Sequence, residues 1–145
     1  MARAVDTGTD QLLCEVEDHV ATVSFNRPDV RNALGDIVTP ALREILLVLE
    51  ADSDVRVIIL TGVGKAFCAG GDVKGMASGG DAGSGARSAT LDERIHTQRL
   101  NQRNTAGRMH LMPKPVIASL PGPAAGAGLS LALAADLRIM ADSAF

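Results

Sequence analysis

Two runs of small residues constrain this chain most, because each lies where a strand-like segment hands over to a helix-like one. Gly64-Lys65-Ala66-Phe67-Cys68-Ala69-Gly70-Gly71-Asp72 follows the apolar residues 55–61. Pro121-Gly122-Pro123-Ala124-Ala125-Gly126-Ala127-Gly128 follows the apolar run Val116–Leu120. Glycine and alanine let a second backbone or a ligand approach the main chain closely, and a helix start aims its free N–H groups outward. Two such turns brought together can hold one developing oxyanion between two backbone donors. The pattern points to acyl chemistry.

The rest of the chain alternates between two periodicities. Leu12–Glu17 and Val20–Phe25 read as short strands, joined at Asp18-His19 as a hairpin. Arg27-Pro28-Asp29 ends the second strand. Over residues 36–52, Val38, Leu42, Ile45, Leu46 and Leu49 recur at helical spacing, with Thr39-Pro40 suited to a cap and a first-turn proline. Residues 55–61 form a nearly continuous apolar run, as expected of a strand buried on both faces. Residues 75–88 are rich in Gly, Ser and Ala and read as a loop that is mobile without ligand. Residues 89–111 read as one amphipathic helix, 126–135 as a short buried helix and 137–141 as a last strand. Strands alternating with helices predict an α/β fold with parallel pairing.

The core must be aliphatic, since the 145 residues are 46% hydrophobic yet include no Trp, no Tyr and three Phe. Residues 115–135 carry no charge until the helix is over and are long enough to span a membrane. Pro121-Gly122-Pro123 interrupts them, so a buried strand, a turn and a buried helix are expected instead. A net charge of −3 leaves no basic footprint for nucleic acid or an anionic membrane. Cys14 and Cys68 are too few for a disulfide framework or a zinc site and suit a reducing compartment. Residues 1–10 lack the apolar centre of a signal peptide, and a cytoplasmic location is expected.

In order and spacing, several pieces together resemble the enoyl-CoA hydratase/isomerase (crotonase) superfamily. They are Val20–Phe25 with Asn26-Arg27-Pro28, Arg31-Asn32-Ala33-Leu34, residues 55–62, Phe67 to Asp72, Lys114-Pro115-Val116-Ile117-Ala118, Gly126 to Ser130, Asp136-Leu137-Arg138 and Ala141-Asp142-Ser143-Ala144. The resemblance implies a spiral of ββα units, of which residues 1–145 would carry a little more than half as one acyl-CoA-binding domain. The chain is thus expected to be truncated before a C-terminal helical region. It further implies the backbone N–H groups of Gly71 and Ala127 as oxyanion donors. Arg31, Ala33, Ala69, Asp72, Val73 and Gly126 would bind substrate and coenzyme A, which enters as part of the substrate rather than as a cofactor. No metal is implied, and the full-length family forms homo-trimers or hexamers. Asp72 also suits a cap for a following helix.

The acid–base positions depart from that pattern. Ser130 stands where hydratases of the family usually carry a glutamate, and serine cannot activate water at neutral pH without a partner. A second acidic position would lie beyond Phe145. The expected consequence is an oxyanion hole with no assigned general base, favouring isomerase-type chemistry or an inactive acyl-CoA-binding or partner-binding remnant. His96 is the best placed alternative by sequence, ahead of His110 and His19, although a histidine on a polar helix is usually solvated. Asp136 reads as a structural hydrogen-bonding residue, and Cys68 as a small buried side chain. Gly62-Val63-Gly64-Lys65 lacks the spacing and the Ser/Thr of a phosphate loop, and Leu131 stands where a dinucleotide fingerprint needs its third glycine.

Overall fold

A computed structural model describes residues 1–72 and 90–145. Val73 and the predicted loop 75–88 lie outside the described residues. The strands are β1 (Arg3–Ala4), β2 (Leu12–Glu17), β3 (Val20–Phe25), β4 (Val57–Gly62), β5 (Val116–Leu120) and β6 (Leu137–Met140). The helices are α1 (Val38–Ala51), α2 (Leu91–Asn104), α3 (Ala106–Leu111) and α4 (Ala127–Ala134).

All six strands form one sheet in chain order. β1, β2 and β3 pair antiparallel, and β3 to β6 pair parallel. The β2–β3 hairpin turns at Asp18 and His19, whose φ values of 48° and 68° are the positive values that a tight two-residue hairpin turn requires. Parallel neighbours need a crossover, and the helices supply them. Burial alternates along β2 and β3, placing Leu12, Cys14, Val16, Ala21, Val23 and Phe25 on one covered face. The five apolar positions expected on α1 are all buried.

Five local expectations need correction. β4 begins two residues later than predicted, and its burial alternates, so only one face is fully covered. Thr39 makes no cap: α1 already starts at Val38 without a side-chain cap, although Pro40 does lie in its first turn. Residues 89–111 are two helices, broken at Thr105 (φ −114°, ψ −91°). None of α2 is buried, so of the apolar positions Leu91, Ile95, Leu100 and Met109 expected along this stretch only Met109, in α3, joins the core. The start of α2 is nonetheless well made, with Thr90 and Glu93 capping each other's backbone N–H. α4 is buried only at Gly128, Leu131 and Ala132; Leu129 and Leu133 are exposed, as is all of β6. No described helix is long and apolar enough to cross a membrane.

Candidate active site at the two glycine-rich turns

Because β4 and β5 run parallel as neighbours, the turns that follow them emerge at the same edge of the sheet. The turns are stitched together there. Phe67 N donates to Pro123 O at 3.0 Å and Ala125 N to Cys68 O at 3.0 Å, around a parallel bridge between Cys68 and Ala124. Phe67 is anchored below by an edge-on contact with Phe25, ring centroids 5.8 Å apart, worth roughly 0.5–1.5 kcal/mol beyond burial.

Close approach explains the glycines. A Cβ on Gly128 would strike the Cys68 carbonyl and lie 2.7 Å from Cys68 Cβ. One on Gly70 would lie 2.8 Å from Ala125 O and 3.2 Å from Ala127 N, and Gly70 also has φ +91°. Gly70 therefore lies close against Ala125 and Ala127 across the seam, with no room for a side chain between them.

The orientation of the two N–H groups follows from their neighbours. Leu34 N donates to Gly70 O at 2.7 Å and Leu34 O accepts from Asp72 N at 2.7 Å, forming a parallel bridge to Gly71. In such a bridge the partner bonds to the residues on either side, so Gly71's own N–H turns the other way. Ala127 is the first residue of α4, where an N–H has no acceptor within the helix. Among the described residues, neither N–H has an acceptor, and both residues are exposed.

The other candidate residues divide. Ala69 is exposed beside Gly70, and its N–H donates to Arg31 O at 2.9 Å. Arg31 is exposed, and Ala33 is buried with its carbonyl accepting from Arg27 Nη1. Gly126 is exposed at the cap of α4 with φ +52°. Asp72 pairs with Arg27, Nη2 to Oδ2 3.0 Å. The helix it was expected to cap lies outside the described residues, as does Val73.

Asn32 is the residue that sequence reading left without a role. It is 1% exposed and adopts φ +56°, a conformation Asn tolerates better than most residues. Its Oδ1 accepts from Arg27 N at 2.8 Å, and its Nδ2 donates to Val63 O at 3.0 Å and Ala66 O at 2.9 Å. It thereby pins the loop after β3 to the first glycine-rich turn, and each partner left unpaired would cost about 1–3 kcal/mol. The available signal was an Asn three residues after the turn-forming Pro28-Asp29.

Acid–base groups are sparse. Ser130 Oγ donates to Gly126 O at 3.3 Å, the preceding-turn carbonyl, and has no His or carboxylate partner among the described residues. His96 and His110 are exposed, and His19 bonds to Asp54 just ahead of β4, at the opposite end of that strand from the glycine-rich turn. Asp136 exchanges two bonds with Val116, its Oδ2 accepting at 2.8 Å and its N–H donating at 2.9 Å, the structural role expected of it. Among the described residues no His, Cys, Asp or Glu cluster could hold a metal.

Cys68 is fully buried, and desolvation pushes its thiol up to about 11, against a smaller opposing effect of a backbone bond from Gly70. Burial likewise pushes Cys14 up to about 11. Both thiols should resist alkylation at pH 8 until the chain unfolds, which a timed iodoacetamide reaction with and without urea checks. The folded-state pKa values lie above the unfolded value near 9, so this contribution to stability is complete below about pH 9. It declines as pH rises toward about 11.

The profile of the enoyl-CoA hydratase/isomerase family matches residues 15–145. The chain belongs to that family. A probable enoyl-CoA hydratase of Mycobacterium tuberculosis is 38% identical over 136 residues, covering 93% of this chain and 48% of its own length. The mitochondrial enoyl-CoA hydratase domain-containing protein 2 of Bos taurus is 40% identical over 126 residues, covering 86% of this chain and 39% of itself. The crystal structure of an enoyl-CoA hydratase/isomerase from Xanthobacter autotrophicus superposes with a TM-score of 0.81 at 32% identity, across 94% of this chain and 48% of that one. The chain thus has the crotonase fold and spans about half the length of the curated relatives it matches. Both glycine-rich turns of this family member fall within the matched region.

Proposed function

We propose that this chain binds acyl-CoA thioesters and stabilises the enolate formed next to the thioester carbonyl. The Gly71 and Ala127 N–H groups would be the two donors. The observation that carries this reading is the seam between the turns. Two exposed N–H groups, free of acceptors within the described chain, start from residues held together by Gly70 packing on Ala127. Negative charge gathering on a thioester oxygen between them would meet preorganised donors that need no rearrangement. Arg31, exposed on the adjoining loop, would meet a phosphate of coenzyme A.

A second reading has its own support. Ser130 spends its hydroxyl on Gly126 O, so these residues offer acyl-CoA binding and carbonyl polarisation without a base for water. Hydration would then be absent while binding persists.

Calorimetric titration with acetyl-CoA tests the shared part of both readings. Binding is expected, and Arg31→Ala should weaken it about tenfold, the worth of one charge-assisted contact. No heat from acetyl-CoA, under conditions where the chain is folded, would overturn the proposal. Equal affinity of the parent and Arg31→Ala would remove Arg31 from the phosphate site.

A further inference from the structure

Arg27 touches neither glycine-rich N–H, yet its guanidinium is wired to the strand pair that carries one of them. Nη1 donates to Ala33 O at 2.7 Å, and Nη2 donates to Asp72 Oδ2 at 3.0 Å. The Arg27 and Asp72 side chains are each 21% exposed, so water screens the pair only in part. Gly35 leaves the guanidinium its space: a Cβ there would come within 3.3 Å of Nη1.

The C=O and N–H of one trans peptide point in opposite directions. The Ala33 carbonyl faces Arg27, so the Leu34 N–H of the same peptide faces away, toward Gly70 O at 2.7 Å. Gly70 O in turn belongs to the peptide whose N–H is that of Gly71. The chain of contacts runs from a cation through two peptide groups in series to the Gly71 N–H. Bonds to a charged donor are roughly twice as strong as neutral ones, and each link of such a chain polarises the next by about 10–30%.

We propose that Arg27 is a positioning residue that aims and polarises the Gly71 N–H through the Ala33–Leu34 and Gly70–Gly71 peptide groups. Asp72 holds the guanidinium from the far side, and its own N–H on Leu34 O locks the two strands in register. The relay stands on this geometry. Its use in stabilising an enolate rests on the proposed role of Gly71.

Amide proton shifts report donor polarisation directly, with no ligand needed. In the full chain, measured by solution or magic-angle-spinning NMR, Arg27→Gln should move the Leu34 and Gly71 amide protons upfield. The Ala69 and Phe67 amide protons, bonded to Arg31 O and Pro123 O, should stay in place. Arg27→Lys keeps a cation and should retain part of the parent shift. Unmoved Leu34 and Gly71 resonances in Arg27→Gln would overturn the relay. Equal movement of all four would overturn it too, since that marks general loosening. Should Arg27→Gln not fold, the through-bond coupling between Leu34 N and the Gly70 carbonyl carbon in the unsubstituted chain decides: its absence overturns the relay, its presence supports it. Failure of acetyl-CoA to bind would instead overturn the functional proposal while leaving the relay standing.

Discussion

Replacing Ala127 by proline is expected to slow acyl-CoA α-proton exchange by about 10²–10³, the usual consequence of losing one oxyanion donor. Proline deletes a single N–H, and the first residue of a helix is the position that tolerates it, because that N–H has no intrahelical acceptor. Ala127 occupies that position in α4 and is exposed. The measurement is deuterium incorporation into acetyl-CoA in heavy water, with imidazole buffer supplying the base that Ser130 does not. Thermal melts of the variant should overlay those of the parent. A folded Ala127→Pro chain that exchanges as fast as the parent would remove Ala127 from the proposed oxyanion hole. Ala127→Gly keeps the N–H and should keep the rate.

Gly128→Ala should cost about 3 kcal/mol or more in stability, at or above the upper end for overpacking. The added methyl would meet Cys68 backbone rather than a side chain able to rotate away, with the Cys68 carbonyl carbon at 2.8 Å. That carbonyl is also committed to Ala125 N at 3.0 Å, so it cannot give without opening the seam. Urea melts provide the number. Gly107→Ala, inside α3 with its nearest neighbour Gln102 O at 3.3 Å, should stay within about 1 kcal/mol of the parent because helix propensity offsets the tight contact. Similar costs for the two variants would mean that the seam yields more easily than its geometry implies.

These two variants probe features of different legibility. That small residues cluster in both turns is visible in the sequence, but that Gly128 packs on Cys68, and Gly70 on Ala127, appears only once β4 and β5 lie side by side. The Asp18-His19 hairpin and the apolar stripe of α1 were legible because both are local: two alternating runs around a two-residue turn, and one face repeating every three or four residues. The family was legible for a related reason, since order and spacing of short motifs survive without any knowledge of contacts.

The misjudged elements depend on what surrounds a segment. Leu91 and Ile95 lie one turn apart, but Leu100 falls on the opposite side of the helix, and α2 is left with none of its residues buried. The outer face of α4 read as interior because apolar composition reports affinity for a partner, not the partner's presence. Arg27 and Asp72 stand far apart in sequence as two ordinary charges, and no local pattern pairs them. By itself the sequence determined the order of the strands from β2 to β6, the hairpin, the α1 core face and the places where backbone N–H groups could be laid bare. Only the tertiary structure decided which of those groups meet, how Asn32 and Arg27 hold them and which apolar faces stay uncovered, because hydrogen-bond direction and burial depend on residues distant in the chain.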